Sequence, residues 1–128
     1  MLIVFDSMGG NVRRFVKKLN MPSIQVTEGL LVQEPFCLVT YTIRFGEVPD
    51  TTRDFLASNA KYMVGVASSG NINWGIERFA RAAALISSQY HVPVLHQFEL
   101  SGTAHDVEVF LQEVDKIVHS DSPMDQAQ

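Results

Sequence analysis

The sequence contains one cysteine, Cys37, and this scarcity excludes an intramolecular disulfide and a CxxC redox pair. Cys37 lies in an apolar run at residues 36–39, so we expect a buried core residue. No apolar run approaches the ~20 residues of a membrane-spanning helix. The apolar residues 2–5 reach Asp6 too early for a secretory signal peptide. These absences predict a cytoplasmic protein with no membrane partner.

The sequence also lacks an excess of basic charge and the common catalytic motifs. It has 10 Lys and Arg against 14 Asp and Glu, a formal net charge of -4 at pH 7, which disfavours nucleic acid as a partner. The 4 histidines lack metal-ligand spacing, so no metal site is predicted. The G-x-S-x-G elbow, the Walker GK[ST] motif and the GxGxxG fingerprint are absent. Hydrolase, triphosphate-binding and dinucleotide-binding functions are therefore poorly supported.

Short apolar runs alternate with helical apolar spacing along the chain. The runs predict strands at residues 2–5, 23–26, 36–41, 62–67 and 94–98. The helical stripes comprise Val12, Phe15, Val16 and Leu19; Phe55 and Leu56; Ile76, Phe79, Ala83 and Ile86; and Val107, Phe110, Leu111, Val114, Ile117 and Val118. Pro49 is predicted as the first residue of the second helix. Thr103 and Asp106 predict a capping box at the start of the last helix.

Five strands alternating with four helices predict an α/β domain with a parallel sheet covered on both faces. The predicted domain spans residues 1–118, and the polar tail at 119–128 is predicted to be disordered. In doubly wound sheets, ligands bind outside the carboxyl ends of the strands, at the switch in strand order. The loops after the first, third and fourth strands are therefore the candidate binding loops.

The loop after the first strand has the composition of an anion site. It contains Ser7, Met8, Gly9, Gly10, Asn11 and Val12 and leads directly into a helix. Free backbone amides at a helix start attract anions, and Ser7 and Asn11 add side-chain donors. The alternative is a simple glycine turn followed by an Asn helix cap. A phosphate monoester is the favoured ligand because the loop follows the first strand of an alternating chain.

The other two loops carry aromatic residues. The loop after the third strand includes Thr42, Ile43, Arg44, Phe45 and Gly46. The loop after the fourth strand includes Ser69, Gly70, Asn71, Asn73, Trp74 and Gly75. Phe45 either faces a planar ligand or plugs its own loop, and Trp74 either stacks on a ligand or packs structurally. Asn71 and Asn73 either bond a ring or cap the loop. A phosphate cradle beside two aromatic loops describes a flavin mononucleotide (FMN) site.

Five segments in order resemble the NrdI family, the flavodoxin-like accessory proteins of class Ib ribonucleotide reductase. They are residues 5–7 with 10–12, residues 38–42, residues 45–49, residues 65–71 with 73–75, and residues 98–103. The resemblance covers about residues 1–118. It implies a flavodoxin-like three-layer sandwich with strand order 2-1-3-4-5.

The resemblance also implies a function. In this family the flavin is FMN, the partner is the reductase small subunit, and the product is its dimanganese-tyrosyl radical cofactor. Reduced flavin reacts with dioxygen, and the oxidant, taken to be superoxide, passes to the dimanganese site. A flavin reductant is implied as a second partner, and the accessory protein itself holds no metal. With one domain and no obvious exposed apolar stripe, a monomer is expected.

Carried onto this chain, the family pattern places FMN against all three loops. It assigns Ser7, Gly10, Asn11 and Val12 to the phosphate, with Met8 and Gly9 in the same loop. Family members commonly have threonine at Gly9, so one phosphate hydrogen bond is missing and FMN is expected to bind more weakly by ~0.5–1.5 kcal/mol. They often have glycine at Arg44, where a non-glycine residue adopts positive φ at greater cost. A redox-linked flip of that peptide is therefore expected to be restricted.

Two other functions fit the same elements. A general flavodoxin would share the fold and FMN but carry single electrons to many partners, and it typically has longer, strongly acidic loops. A cofactor-free binding module, such as a receiver-like domain, would need an aspartate after the third strand, where this chain has Thr42.

Overall fold

The computed structural model describes residues 1–75 and 78–120 and consists of one parallel sheet between two helical layers. The strands are β1 (Leu2–Phe5), β2 (Ser23–Gln25), β3 (Phe36–Tyr41), β4 (Met63–Gly70) and β5 (Val94–Glu99). The helices are α1 (Asn11–Lys17), α2 (Asp50–Asn59), α3 (Ala82–Tyr90) and α4 (Ala104–Ser120), and short 3₁₀ helices span Ala60–Tyr62 and Ile72–Trp74. The strand order β2-β1-β3-β4-β5 confirms the predicted sheet.

Each face of the sheet has its own hydrophobic core. On the face covered by α1 and α4, the Phe15 ring stacks on Phe98 at 4.0 Å and meets Phe110 edge-on at 5.6 Å. On the face covered by α2 and α3, buried Leu56 and Ile86 pack in the second cluster. Burial on both faces explains why β3 has no polar alternation.

Cys37 is fully buried in β3, as predicted. Burial raises the pKa of its thiol to about 12, so the thiolate needed for redox or nucleophilic chemistry does not form near neutral pH. No helix in the described residues is long and apolar enough to cross a membrane.

The region between β4 and α3 differs most from the sequence prediction. β4 continues to Gly70, three residues past the predicted end, and α3 begins at Ala82 instead of near Ile76, which lies outside the described residues. Ala80 is buried with φ 48°, and its carbonyl accepts hydrogen bonds from the Ser68 hydroxyl and the Gln97 amide. Because these strand side chains hold a left-handed turn at Ala80, the helix starts later than its apolar spacing suggests.

Smaller differences occur at other boundaries. β2 ends at Gln25 and β5 reaches Glu99, a difference of one residue in each case, and α2 begins at Asp50, after Pro49 rather than with it. Val118, predicted in the apolar stripe of α4, is 48% exposed. The same helix runs to Ser120, two residues into the segment predicted to be disordered; residues 121–128 lie outside the described residues.

The predicted capping box of α4 forms. The backbone amide of Thr103 donates to Asp106 Oδ2 at 2.7 Å, and the Asp106 amide donates to Thr103 Oγ1 at 3.2 Å. The other carboxylate oxygen of Asp106 lies 2.7 Å from His96 Nε2 on β5. Burial raises the pKa of the Asp106 carboxyl, but the bonds from His96 and Thr103 outweigh burial and hold the pKa below its ordinary value.

Because the folded pKa of Asp106 is lowered, its stabilisation is present above the unfolded pKa of about 4 and is lost as pH falls through the folded value. We expect Asp106→Asn to unfold more easily by about 1 kcal/mol at pH 7 and to show a smaller loss of stability below pH 4. Urea denaturation across pH 2.5–7 measures this. Asp54→Asn, which changes an exposed carboxylate on α2, is the control, and equal acid profiles for wild type and Asp106→Asn would contradict the assignment.

Candidate functional site

A cleft of about 310 Å³, here called the loop cleft, opens where β1, β3 and β4 end. Nine predicted site residues line it: Met8, Asn11, Val12, Thr42, Ile43, Arg44, Ser69, Gly70 and Asn71. Three lining residues were not predicted: Tyr41, Arg78 and Leu100. The three predicted loops therefore meet at one cleft.

The loop after β1 turns through two left-handed glycines. Gly9 has φ 80° and Gly10 φ 89°, and Ser7 Oγ accepts a hydrogen bond from the Arg13 amide at 3.3 Å. A threonine at Gly9 would adopt this φ only with strain, so the loop conformation suits the glycine found here. Asn11 is the first residue of α1, after Gly10, and the alternative prediction of an Asn helix cap is wrong.

Asn11 instead belongs to a polar network that joins α1 to the loop after β5. Its Oδ1 accepts hydrogen bonds of 2.7 Å from Arg14 Nη2 and from Ser101 Oγ. The Arg14 guanidinium lies against the turn, since a Cβ built at Gly10 would meet Arg14 Nη1 at 2.8 Å. Lys18 adds bonds to the carbonyls of Ser101 and Gly102. These contacts fix the segment that carries Leu100 beside the cleft.

The segment after β3 is a closed turn. The Ile43 amide donates to the Glu47 carbonyl at 2.9 Å, and the Glu47 amide donates back at 2.8 Å. Arg44 has φ 51° and Gly46 φ 92°, so Arg44 already adopts the left-handed conformation that a glycine would take more easily. The Arg44 guanidinium lies 3.6 Å from the Glu47 carboxylate.

Phe45 lies on the surface of this turn. It is 62% exposed, which contradicts the alternative that it plugs its own loop. The Arg78 guanidinium sits 4.9 Å from the centre of its ring, an arrangement that gives a cation–π attraction. Gly46 is buried against the same region, since an added Cβ would lie 3.0 Å from Arg81 Cδ. The turn after β3 therefore packs against residues 78–81.

The segment after β4 depends on close backbone approach. A Cβ added at Gly70 would lie 2.8 Å from Ala80 Cα and closer still to its nitrogen. Asn71 Oδ1 accepts from the Asn73 amide at 2.9 Å, which caps the following 3₁₀ helix, so the capping alternative holds for Asn71. Gly75 ends that helix with φ 100°. The side chain of Trp74, predicted to stack on a ligand, lies outside what the structure describes.

Two of the unpredicted residues, Tyr41 and Leu100, lie at the carboxyl ends of strands, and this position could have indicated them as site residues. Tyr41 is the last residue of β3, and a side chain at a strand's carboxyl end is a standard site position. Its hydroxyl donates to Met8 Sδ at 3.7 Å. Burial and the nearby Asp6 charge raise the pKa of Tyr41. A hydrogen bond with Thr51 lowers this pKa, but the net direction is upward.

Leu100 directly follows β5 and has φ 52°. Arg78 lies in the β4–α3 region, where the predicted start of the helix was wrong.

The lining of the loop cleft is cationic although the whole chain is acidic. Arg44 and Arg78 line it, and none of its described lining residues is an aspartate or glutamate. Tyr41, Thr42 and Ser69 contribute hydroxyl groups to the lining, and Asn71 contributes a side-chain amide. Such a cleft favours a polar ligand that carries negative charge.

The sequence has clear relatives. Residues 3–112 match the profile of a family described as NrdI flavodoxin-like. A protein from Bacillus licheniformis named Protein NrdI is 54% identical over 123 residues, which covers 94% of this chain and 92% of the relative. A protein of the same name from Macrococcus caseolyticus is 48% identical and covers 91% of each chain.

Solved flavodoxins share the fold. The two-electron reduced flavodoxin of Megasphaera elsdenii superposes with a TM-score of 0.66 at 15% identity, over 91% of this chain and 99% of that one. A Fusobacterium nucleatum flavodoxin bound to flavin mononucleotide gives a TM-score of 0.58 at 15% identity, over 93% and 96% of the two chains. At these identities the likeness establishes the fold alone.

Proposed function

Because this chain belongs to the NrdI flavodoxin-like family, we propose that it binds one FMN in the loop cleft and generates the oxidant that activates a class Ib ribonucleotide reductase. The observation that carries the proposal is the convergence of the β1, β3 and β4 loops on a cleft whose described lining includes Arg44 and Arg78 but no aspartate or glutamate. The acting form is a cytoplasmic monomer, supplied with electrons by a flavin reductant.

The residues present fit this cofactor. The left-handed turn at Gly9 and Gly10 leads into α1, and Met8, Asn11 and Val12 of the same loop line the cleft, which suits the phosphate end. Gly70 lets the backbone of Ala80 pack directly against the end of β4, which keeps residues 78–80 close to the cleft that would hold the ring. The cleft volume of about 310 Å³ falls in the range of small-molecule sites.

When bound and reduced, the flavin would supply one electron to dioxygen, giving superoxide. The chain's own residues bind and orient it. The turn after β3, held by its backbone bonds between Ile43 and Glu47, is proposed to cover one side of the ring. Residues 69–75 are proposed to cover the other. The Arg44 and Arg78 guanidinium groups stabilise negative charge in the cleft.

The experiment that tests the function uses the dimanganese small subunit as its readout. Reduced, FMN-loaded protein is mixed with oxygen and the manganese-loaded small subunit, and tyrosyl radical is measured by electron paramagnetic resonance. Radical formation supports the proposal. FMN binding without radical formation would favour a general flavodoxin, and failure to bind FMN would reject both functions.

The charge of Arg44 is expected to favour the reduced, anionic flavin. Arg44→Gln, which removes the charge, should lower the flavin potentials, while Arg44→Gly removes the charge and also relieves the cost of φ 51°. Arg53→Gln is the control, because Arg53 is an exposed cation paired with Asp50 that does not line the cleft. Spectroelectrochemistry measures both potentials, and unchanged potentials in Arg44→Gln would contradict the electrostatic effect.

A further inference from the structure

A second cleft, of about 340 Å³, lies beside the end of β1, between the β2–β3 connection and α2. We call it the acidic cleft. One wall is formed by residues 26–31, between β2 and β3, and the other by the part of α2 that carries Thr51, Asp54 and Phe55. Asp6, which is 6% exposed, lies between the walls. Its volume is as large as that of the loop cleft, and the function proposed above does not use it.

The walls of the acidic cleft are held in place by hydrogen bonds. The buried Asn59 donates from Nδ2 to the Leu30 carbonyl at 2.9 Å and accepts from the Val32 amide at 2.7 Å. At the other end, the Val26 amide donates to the Phe5 carbonyl at 2.7 Å. Both ends of the wall are therefore anchored to the sheet and to α2, and the cleft is preformed.

The charged side chains among the lining residues of the acidic cleft all have one sign. Asp6, Glu28 and Asp54 line it, and no lysine, arginine or histidine is among its described lining residues. Glu28 and Asp54 are exposed, so their carboxylates stand at the opening, while Asp6 Oδ2 accepts bonds of 2.6 and 2.7 Å from Thr51 and Thr52. The negative charges would repel an anion. A purely apolar ligand would remove water from the carboxylates without offering them a hydrogen-bond or charge partner.

The remaining surface of the acidic cleft is apolar. Val26, Leu30, Leu31 and Phe55 contribute it, and Leu31 is 66% exposed. In the described residues, no group of three or more His, Cys, Asp or Glu side chains is placed to hold a metal ion. The cleft therefore combines apolar side chains with exposed carboxylates that do not converge as metal ligands. This arrangement matches an aliphatic stem that ends in a positive charge.

We propose that the acidic cleft is a docking site for a lysine or arginine side chain of a partner protein, with an apolar neighbour of that residue packing on Leu31. The stem lies between residues 26–31 and α2, and the charged head meets Glu28 and Asp54. Charge complementarity selects the partner's basic residue, and the exposed Leu31 favours a protein segment over a free amine. The inference holds whether or not the loop cleft binds FMN.

The test is a nuclear magnetic resonance titration of the full-length chain with the peptide acetyl-Leu-Lys-Leu-amide. We expect the largest amide shifts at residues 26–31 and on α2 near Asp54, weakening as salt is raised. The peptide acetyl-Leu-Gln-Leu-amide and the free cation pentylamine are the matched probes, and both should bind more weakly. Equal binding of the glutamine peptide or of pentylamine would overturn the proposal, as would the absence of shifts at the cleft.

A pair of charge-matched variants tests the carboxylates. Glu28→Gln combined with Asp54→Asn should weaken the lysine peptide about fivefold, since each exposed ion pair contributes modestly. Glu108→Gln combined with Asp115→Asn removes the same charge from exposed positions on α4 and should leave binding unchanged. An equal loss in both double variants would show that only the net charge acts and would contradict a specific docking site.

Discussion

Replacing Gly70 with alanine is expected to weaken FMN binding at least tenfold and to lower the free energy of unfolding by about 1–3 kcal/mol. The added methyl group would collide with the Ala80 backbone, which Ser68 and Gln97 hold from β4 and β5. The obstacle is backbone that two strands hold in place. The collision is therefore relieved only if residues 78–80 move. That movement displaces Arg78, which lines the loop cleft.

Gly65→Ala is the matched control for Gly70→Ala. It adds the same methyl group to the same strand, where a Cβ would meet the Leu95 side chain at 2.9 Å, far from the cleft lining. We expect it to lower stability by urea denaturation while the folded protein keeps its FMN affinity. Wild-type FMN affinity in Gly70→Ala, measured by quenching of flavin fluorescence, would contradict the proposed position of the cofactor.

Replacing Asp6 with alanine is expected to cost about 2–4 kcal/mol of folding stability. Asp6 is buried at the end of β1, and its Oδ2 accepts both threonine hydroxyls at the start of α2. The Thr52 hydroxyl also lies 2.7 Å from that of Thr40 on β3. Alanine removes the acceptor shared by the exposed Thr51 and the buried Thr52, so the attachment of α2 to the sheet is weakened.

Urea denaturation with Asp54→Ala as control measures the effect of Asp6→Ala. Asp54 is an exposed carboxylate on the same helix, and its loss should change stability by no more than about 0.5 kcal/mol. Asp6→Asn, which keeps one acceptor oxygen, should fall between wild type and Asp6→Ala. Equal losses from Asp6→Ala and Asp54→Ala would show that the buried network does not stabilise the fold.

The sequence predicted the parallel sheet well because its inner strands are apolar on both faces. β3 has the predicted bounds, and Val12, Phe15 and Val16 of the predicted stripe are buried in α1, which ends at Lys17, before the fourth stripe residue Leu19. The strand order came from the family resemblance, since alternation of elements alone does not determine it. The capping box at Thr103 and Asp106 is local chemistry, and it formed as predicted.

The start of α3 was not predictable from periodicity, because it depends on contacts between distant residues. Ile76, Phe79, Ala83 and Ile86 have helical spacing, but hydrogen bonds from Ser68 and Gln97 favour a left-handed turn at Ala80. Arg78 lies in this region and was not among the predicted site residues, although it lines the loop cleft.

The predicted binding loops do converge on one cleft, but some individual side chains do not line it. Phe45 is not among the lining residues, and its exposed ring lies against the Arg78 guanidinium, so its contact with a planar ligand stays a prediction. The backbone amide of Asn73 donates to the Asn71 side chain, which caps the short 3₁₀ helix. The topology of a parallel sheet determines which loops form the cleft. The direction of each side chain depends on contacts that form only when the loops pack together.

An FMN titration followed by two-dimensional nuclear magnetic resonance tests the central claim most directly. The proposed site predicts saturation at one FMN per chain, with the largest amide shifts in the three loops of the loop cleft, at Met8, Asn11, Thr42, Ser69 and Asn71. Absence of binding, or shifts concentrated at the acidic cleft or on α4, would contradict an FMN site at the ends of β1, β3 and β4.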